Sequence, residues 1–273
     1  MTPIHSSPKN STGAAAVLIA VLLVVVLWLP PVATVVALTI VVLAGAWEWS
    51  AFLRASRLWQ RLLYVAVVAV LLPLVWNYTR AQDGLKLVLQ IAVAWWVIAL
   101  GWVMFAPRLV SSSAAAIAGI LALVPAWIAL ATLRVDFIRG AEWVLFALIL
   151  VQVADIGAFF VGRRFGRRRL APNVSPGKTW EGVIGGLIAS GLVAVIGSSR
   201  FGIPLVQFLP LCLAVVAFSV VGDLTESLLK RFAGLKDSGR LFPGHGGVMD
   251  RIDSVTAAAP VLFFGLLWIG VTP

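Results

Sequence analysis

The chain has 273 residues, 61% hydrophobic and 12% charged, and a mean hydropathy of +1.03. No soluble domain of this length needs such a composition; a chain that crosses the bilayer many times does. The net charge of +10 does not point to nucleic acid, because no basic, aromatic-rich domain stands outside the apolar runs; Lys and Arg are read instead as topology determinants facing anionic lipid. One cysteine, Cys212, excludes an intrachain disulfide and argues against a thiolate metal site.

Residues 1–13 read as a polar tail. Nine apolar runs follow, at 14–29, 32–53, 62–76, 85–105, 114–133, 141–162, 182–197, 205–229 and 254–271. Each approaches the ~20 residues that carry a helix across ~30 Å of hydrocarbon. The first run has a signal-peptide alternative but reads better as an uncleaved helix, since more spans follow. The expected fold is all-α, a polytopic integral membrane protein with about nine transmembrane helices. It divides into N-terminal helices over 14–133 and a C-terminal region over 141–273, whose polar loops lie at 163–181 and 230–253. Gly182, Gly185, Gly186, Ala189 and Gly191 let the seventh run pack closely on a neighbour. With the N-terminus inside, sixteen Lys and Arg fall in cytoplasmic segments and five outside. The positive-inside rule therefore expects a cytoplasmic N-terminus, and both polar loops on that side.

The acids concentrate where they are costly. The window 222–253 holds five of the chain's eleven: Asp223, Glu226, Asp237, Asp250 and Asp253. Asp223 lies seven residues before Lys230, and Asp155 eight before Arg163. Both carboxylates should sit roughly 10–12 Å inside the cytoplasmic ends of their helices. Asp223, Glu226 and Lys230 share a helix face by their i, i+3, i+7 spacing. Asp250 and Asp253 share one too if their turn is helical. Intramembrane ion pairing, for instance of Asp223 with Lys230 or Arg251, would explain one such acid; five in 32 residues point to function. Carboxylates without a His or Cys cluster suit Mg²⁺, a hard ion that shares its shell with water and phosphate. Glu48, between Trp47 and Trp49, reads as an interface marker without chemistry.

Residues 243–247 read Pro-Gly-His-Gly-Gly. Alone this is an ordinary turn; flanked by Lys236-Asp237 and Asp250-Arg251 it becomes a candidate anion pocket. Ser175, Lys178 and Thr179 lack the spacing of a Walker loop and follow no expected strand. Lys178 and Thr179 nonetheless precede an apolar run whose helical N-terminus would favour anions. The arginines at 163, 164, 167, 168 and 169 are read as headgroup contacts.

The stretch from Ser227 through Lys230-Arg231, Lys236-Asp237, Gly239 and Phe242-Pro243-Gly244-His245-Gly246-Gly247 to Asp250-Arg251-Ile252-Asp253 resembles the signature of the phosphatidate cytidylyltransferase family. A second block, Ala154-Asp155 to Gly162 with Ser175 to Gly182, is similar to another family segment. Together they span residues 154–253, about a third of the chain, and the first five runs add nothing specific. The resemblance implies an inner-membrane enzyme, multi-pass and homodimeric, that joins CTP to phosphatidic acid and releases pyrophosphate. It implies Mg²⁺ on the aspartates matching Asp223 and Asp250, with a monovalent cation such as K⁺ beside it. Lys230, Arg231, Lys236 and Arg251 would hold the phosphates, with Asp237, His245 and Asp253 in the same catalytic set. Ser175, Lys178, Thr179, Ser227, Gly246 and Gly247 would bind substrate, and Asp155 and Glu226 would stand behind them. Two rivals remain: a CTP-dependent polyprenol or lipid kinase, and a membrane transporter. Acids clustered at one face and the absence of a repeat argue against the transporter.

Overall fold

The computed structural model describes residues 23–55, 57–81, 83–239 and 246–272. Eight helices long and apolar enough to span a bilayer make up nearly all of it: α1 (Pro31–Phe52), α2 (Leu58–Thr79), α3 (Gly84–Phe105), α4 (Ser112–Asp136), α5 (Gly140–Phe165), α6 (Trp180–Phe201), α7 (Leu205–Phe232) and α8 (Met249–Trp268). Most of the first apolar run lies outside the described residues; its end, 23–27, is helical. The protein is an all-α polytopic membrane protein, as its composition requires.

One element departs from that reading. The loop after α5 contains a two-stranded antiparallel hairpin, β1 (Arg169–Ala171) and β2 (Ser175–Thr179). Pro172 and Asn173 suit the turn between them, which closes with Val174 N–H donating to the Ala171 carbonyl at 3.1 Å. Lys178 therefore stands on a strand that runs directly into α6, where no strand was expected.

The helices alternate in direction. Arg80 pairs with Asp136 at 2.8 Å and Arg200 with Glu142 at 2.8 Å, which gathers the ends of α2, α4, α5 and α6 on one face. Arg54 donates to the Phe232 carbonyl and Lys178 reaches Asp223 on the other. The core is built on α4 and α8, the most enclosed helices. Alanines 115, 118, 122, 126, 129 and 131 of α4 are all buried, and such small side chains let several helices crowd around one. Gly119 faces Trp49 and Tyr64 so closely that a methyl group would collide with both. Large apolar side chains such as Ile188, Leu192 and Val206 are exposed, as a surface solvated by lipid requires. Trp95 and Trp96 pack inside the bundle.

Two glycine contacts position the site. Gly182 and Gly186 of α6 lie against the carbonyls of Ala158 and Ala154 in α5; an added Cβ would stand 2.9 and 2.8 Å from them. Gly222 of α7 meets α8 in the same way, with the Asp253 carbonyl 2.6 Å from where a Cβ would be. That second crossing is one residue from Asp223.

Candidate active site

α7 supplies Asp223, Glu226, Ser227 and Lys230, α8 supplies Asp250 and Asp253, and β2 supplies Lys178. Asp223 receives the Lys178 ammonium at 2.6 Å and the Ser227 hydroxyl, one turn on, at 3.3 Å. It does not pair with Lys230. That ammonium goes to Asp250 Oδ1 at 2.8 Å and stands 3.5 Å from Glu226 Oε2. Asp155 on α5 lies at the open edge of the cluster, within electrostatic reach of Lys178 and Asp223. The hairpin and three helices thus bring Asp155, Lys178, Asp223, Glu226, Lys230, Asp250 and Asp253 together.

Asp250 is the most tightly held. The turn that carries it is helical, since α8 begins at Met249. Its Oδ2 accepts from Gly247 N–H at 2.7 Å, Ser238 N–H at 3.0 Å and the Ser238 hydroxyl at 2.9 Å. Gly246 has φ +80°, a backbone that L side chains rarely adopt, and a Cβ there would strike the Asp250 carboxylate. Gly246 and Gly247 therefore wrap the backbone around this aspartate. Behind it, Asp253 is buried and takes the Ser254 N–H at 2.6 Å. It faces Glu226, whose carboxylate is buried with the Lys230 ammonium 3.5 Å from its Oε2.

The other residues marked in the sequence are spread around this cluster and beyond it. Thr179 is buried and caps α6, accepting from Gly182 N–H at 3.1 Å; its side chain sits against Gly162 and Gly166, a structural task. Ser175 is three residues along β2 from Lys178, roughly 10 Å away. Arg231 turns toward Arg108 and Asn173. Lys236 and Asp237 border a cavity of about 800 Å³ against Trp47, Glu48 and Arg61 of the N-terminal helices. Arg251 follows Asp250 in the first turn of α8. His245 lies outside the described residues.

Glu48 is the residue that sequence reasoning missed. It is 6% exposed, and its Oε2 accepts from the Ser238 hydroxyl and from Met249 N–H, each at 2.8 Å. A signal was available: a lone carboxylate inside an apolar run must find partners.

The chain matches the family described as "Cytidylyltransferase family" over residues 11–268. It is 39% identical to a phosphatidate cytidylyltransferase of Haemophilus influenzae, over 96% of this chain and 99% of that protein. It is 41% identical to one from Pseudomonas aeruginosa, over 84% and 85% of the two chains. A Bacillus subtilis protein of the same name is 40% identical over 46% of this chain and 47% of its own length.

Proposed function

The chain belongs to the cytidylyltransferase family, and from that premise we propose that it condenses CTP with phosphatidic acid to give CDP-diacylglycerol and pyrophosphate. The observation that supports this most is the pairing of two carboxylates with two lysines, Asp223 with Lys178 and Asp250 with Lys230, at one end of a membrane bundle. The reaction needs that alternation. A phosphate oxygen of the lipid forms a bond to the α-phosphorus of CTP, and the bond from that phosphorus to the bridging oxygen of pyrophosphate breaks. The nucleophile is already an anion, so no strong base is required. Two polyanions must be brought together, and catalysis is mostly positioning and charge neutralisation.

Lys178 and Lys230 would exchange their carboxylate partners for phosphate oxygens as substrates arrive, with Arg251 and Lys236 contributing charge nearby. Mg²⁺ takes one or two carboxylates and fills its remaining positions with water and phosphate. Among the described residues, no three acidic, histidine or cysteine side chains form a ready-made metal cage. Asp223 and Asp250 both lie within electrostatic reach of the buried Glu226 carboxylate, and all three groups offer oxygen. That all-oxygen set fits an ion bound together with the nucleotide, held by Asp223 and Asp250. When bound it would neutralise charge on the phosphates. A K⁺ ion in the same cluster, a homodimeric assembly and an inner-membrane location with the site facing the cytoplasm belong to this reading. One substrate is soluble and the other is a lipid, which suits a site at the membrane boundary.

Purified protein, phosphatidic acid and CTP test it together. Pyrophosphate should appear only when both substrates are present, and chelation of divalent ions should stop it. Pyrophosphate release independent of phosphatidic acid would overturn the assignment.

A further inference from the structure

The geometry points to the inner end of α1 as a clamp that positions Ser238 and the start of α8, with Glu48 as its principal residue. This inference rests on the cytidylyltransferase reading for its kinetic consequences, but not for its structural ones. The argument starts from helix ends. The first N–H groups of a helix lack intrahelical partners, and its N-terminus carries partial positive charge. α8 begins after Val248, which has no side chain able to cap, and no side-chain cap is made there. Glu48, 201 residues away, supplies an acceptor instead: its carboxylate takes the N–H of Met249, the first residue of α8. Six residues on, Arg54 donates from Nε at 3.2 Å to the carbonyl of Phe232, the last residue of α7, and its guanidinium lies 4.0 Å over that residue's ring. α1 thus presents an anion to the positive end of α8, and the turn that follows it presents a cation to the negative end of α7. Both signs are the stabilising ones.

The clamp reaches the chemistry through Ser238. Its hydroxyl lies 2.8 Å from Glu48 Oε2 and 2.9 Å from Asp250 Oδ2. One proton serves both carboxylates as a three-centre bond, so the position of Glu48 fixes the hydroxyl that fixes Asp250. The fit is close on every side. A Cβ on Gly239 or on Gly247 would collide with the Glu48 carboxylate, so these glycines admit it from either end of the loop. Glu48 touches no reacting atom; it is a positioning residue. It also gives the N-terminal helices a stake in catalysis.

Five variants and two readouts test this. Glu48→Ala removes both hydrogen bonds, and kcat should fall roughly 10–100-fold with a smaller change in the KM for CTP, the cost of a displaced catalytic group. Ser238→Ala should lose a similar factor. If Glu48 acts through Ser238, the double variant should be no more than about threefold below the worse single one, because residues in one network are not additive. Glu48→Gln keeps an oxygen that can accept both bonds and should recover at least tenfold over Glu48→Ala. Hydrogen–deuterium exchange in detergent supplies a readout independent of activity. Peptides covering 246–250 should exchange faster in Glu48→Ala, with α5 and α6 unchanged. If the alanine variant does not fold, Glu48→Asp, which withdraws the carboxylate by about 1.5 Å, should show the same kinetic and exchange effects. Parental kcat in a folded Glu48→Ala or Glu48→Asp, losses that multiply in the double variant, or unchanged exchange at 246–250 would each overturn the clamp. An inactive parent with the expected exchange pattern would instead sink the reaction and leave the clamp standing.

Discussion

Replacing Asp250 by Asn separates the structural work of this carboxylate from its chemical work. The four groups among the described residues that hydrogen-bond to its carboxylate are donors: Gly247 N–H, Ser238 N–H and the Ser238 hydroxyl on Oδ2, and Lys230 on Oδ1. An amide offers one oxygen, so its NH₂ must face a donor whichever way it turns. The less costly orientation abandons Lys230. That forfeits one charge-assisted hydrogen bond, about 1.5–3 kcal/mol, with little screening because the side chains of Lys230 and Asp250 are 13% and 14% exposed. At roughly 2–4 °C per kcal/mol for a chain this large, melting in detergent should fall by about 3–12 °C, and the protein should remain folded at 25 °C. In the proposed role of Mg²⁺ ligand, its loss should remove several kcal/mol of transition-state stabilisation, at tenfold per ~1.36 kcal/mol. CDP-diacylglycerol formation should therefore drop at least about 100-fold in the folded fraction. Asp136→Asn is the control: its exposed pair with Arg80 is worth at most about 1 kcal/mol and lies at the other end of the bundle. Activity within about threefold of the parent in Asp250→Asn would refute the reasoning, as would a loss that merely tracks unfolded protein.

Three further outcomes follow from the geometry. Gly185→Ala puts a methyl group into Val161 and within 3.0 Å of the Gly157 carbonyl, so melting should show a loss of about 1–3 kcal/mol; Gly191→Ala, where the contact is an ordinary 3.9 Å, should be neutral or up to about 1 kcal/mol stabilising. Asp155→Asn should lower activity roughly 10–100-fold with part restored by raised Mg²⁺, whereas unchanged activity with a lowered melting point would make Asp155 purely structural. A reporter fused after residue 273 should read as extracytoplasmic and one inserted in the hairpin turn at residues 172–174 as cytoplasmic; the reverse would put the site on the wrong side for CTP.

The spans were legible because an apolar run of ~20 residues has few alternatives. Their ends were not. α2 covers 58–79 where the run covers 62–76, and α8 starts at Met249 rather than at 254, because helical hydrogen bonding continues through polar residues that hydropathy leaves out. Acids three or four residues apart could be placed on shared faces, so Asp223 and Glu226 were readable as neighbours. Their partners came from distant segments: Asp223 pairs with neither Lys230 nor Arg251, the ion pairs weighed from sequence, but with Lys178 on β2 at 2.6 Å. The hairpin is too short for periodicity to show it. Thr179 reads from the sequence as a phosphate contact; a threonine just before an apolar run is also a helix cap, and here it caps α6. Glu48 escaped because its partners lie 190 and 201 residues away.

The central claim is that the lipid phosphate attacks the α-phosphorus of CTP at the Asp223–Asp250 cluster. CTP labelled separately at the α- and γ-phosphates, incubated with phosphatidic acid and the purified protein, tests it most directly. The account predicts α-label in the lipid product and γ-label in pyrophosphate, with both transfers lost in Asp223→Asn. Label from the γ-position in lipid would make the protein a lipid kinase, and lipid free of either label would contradict the account altogether.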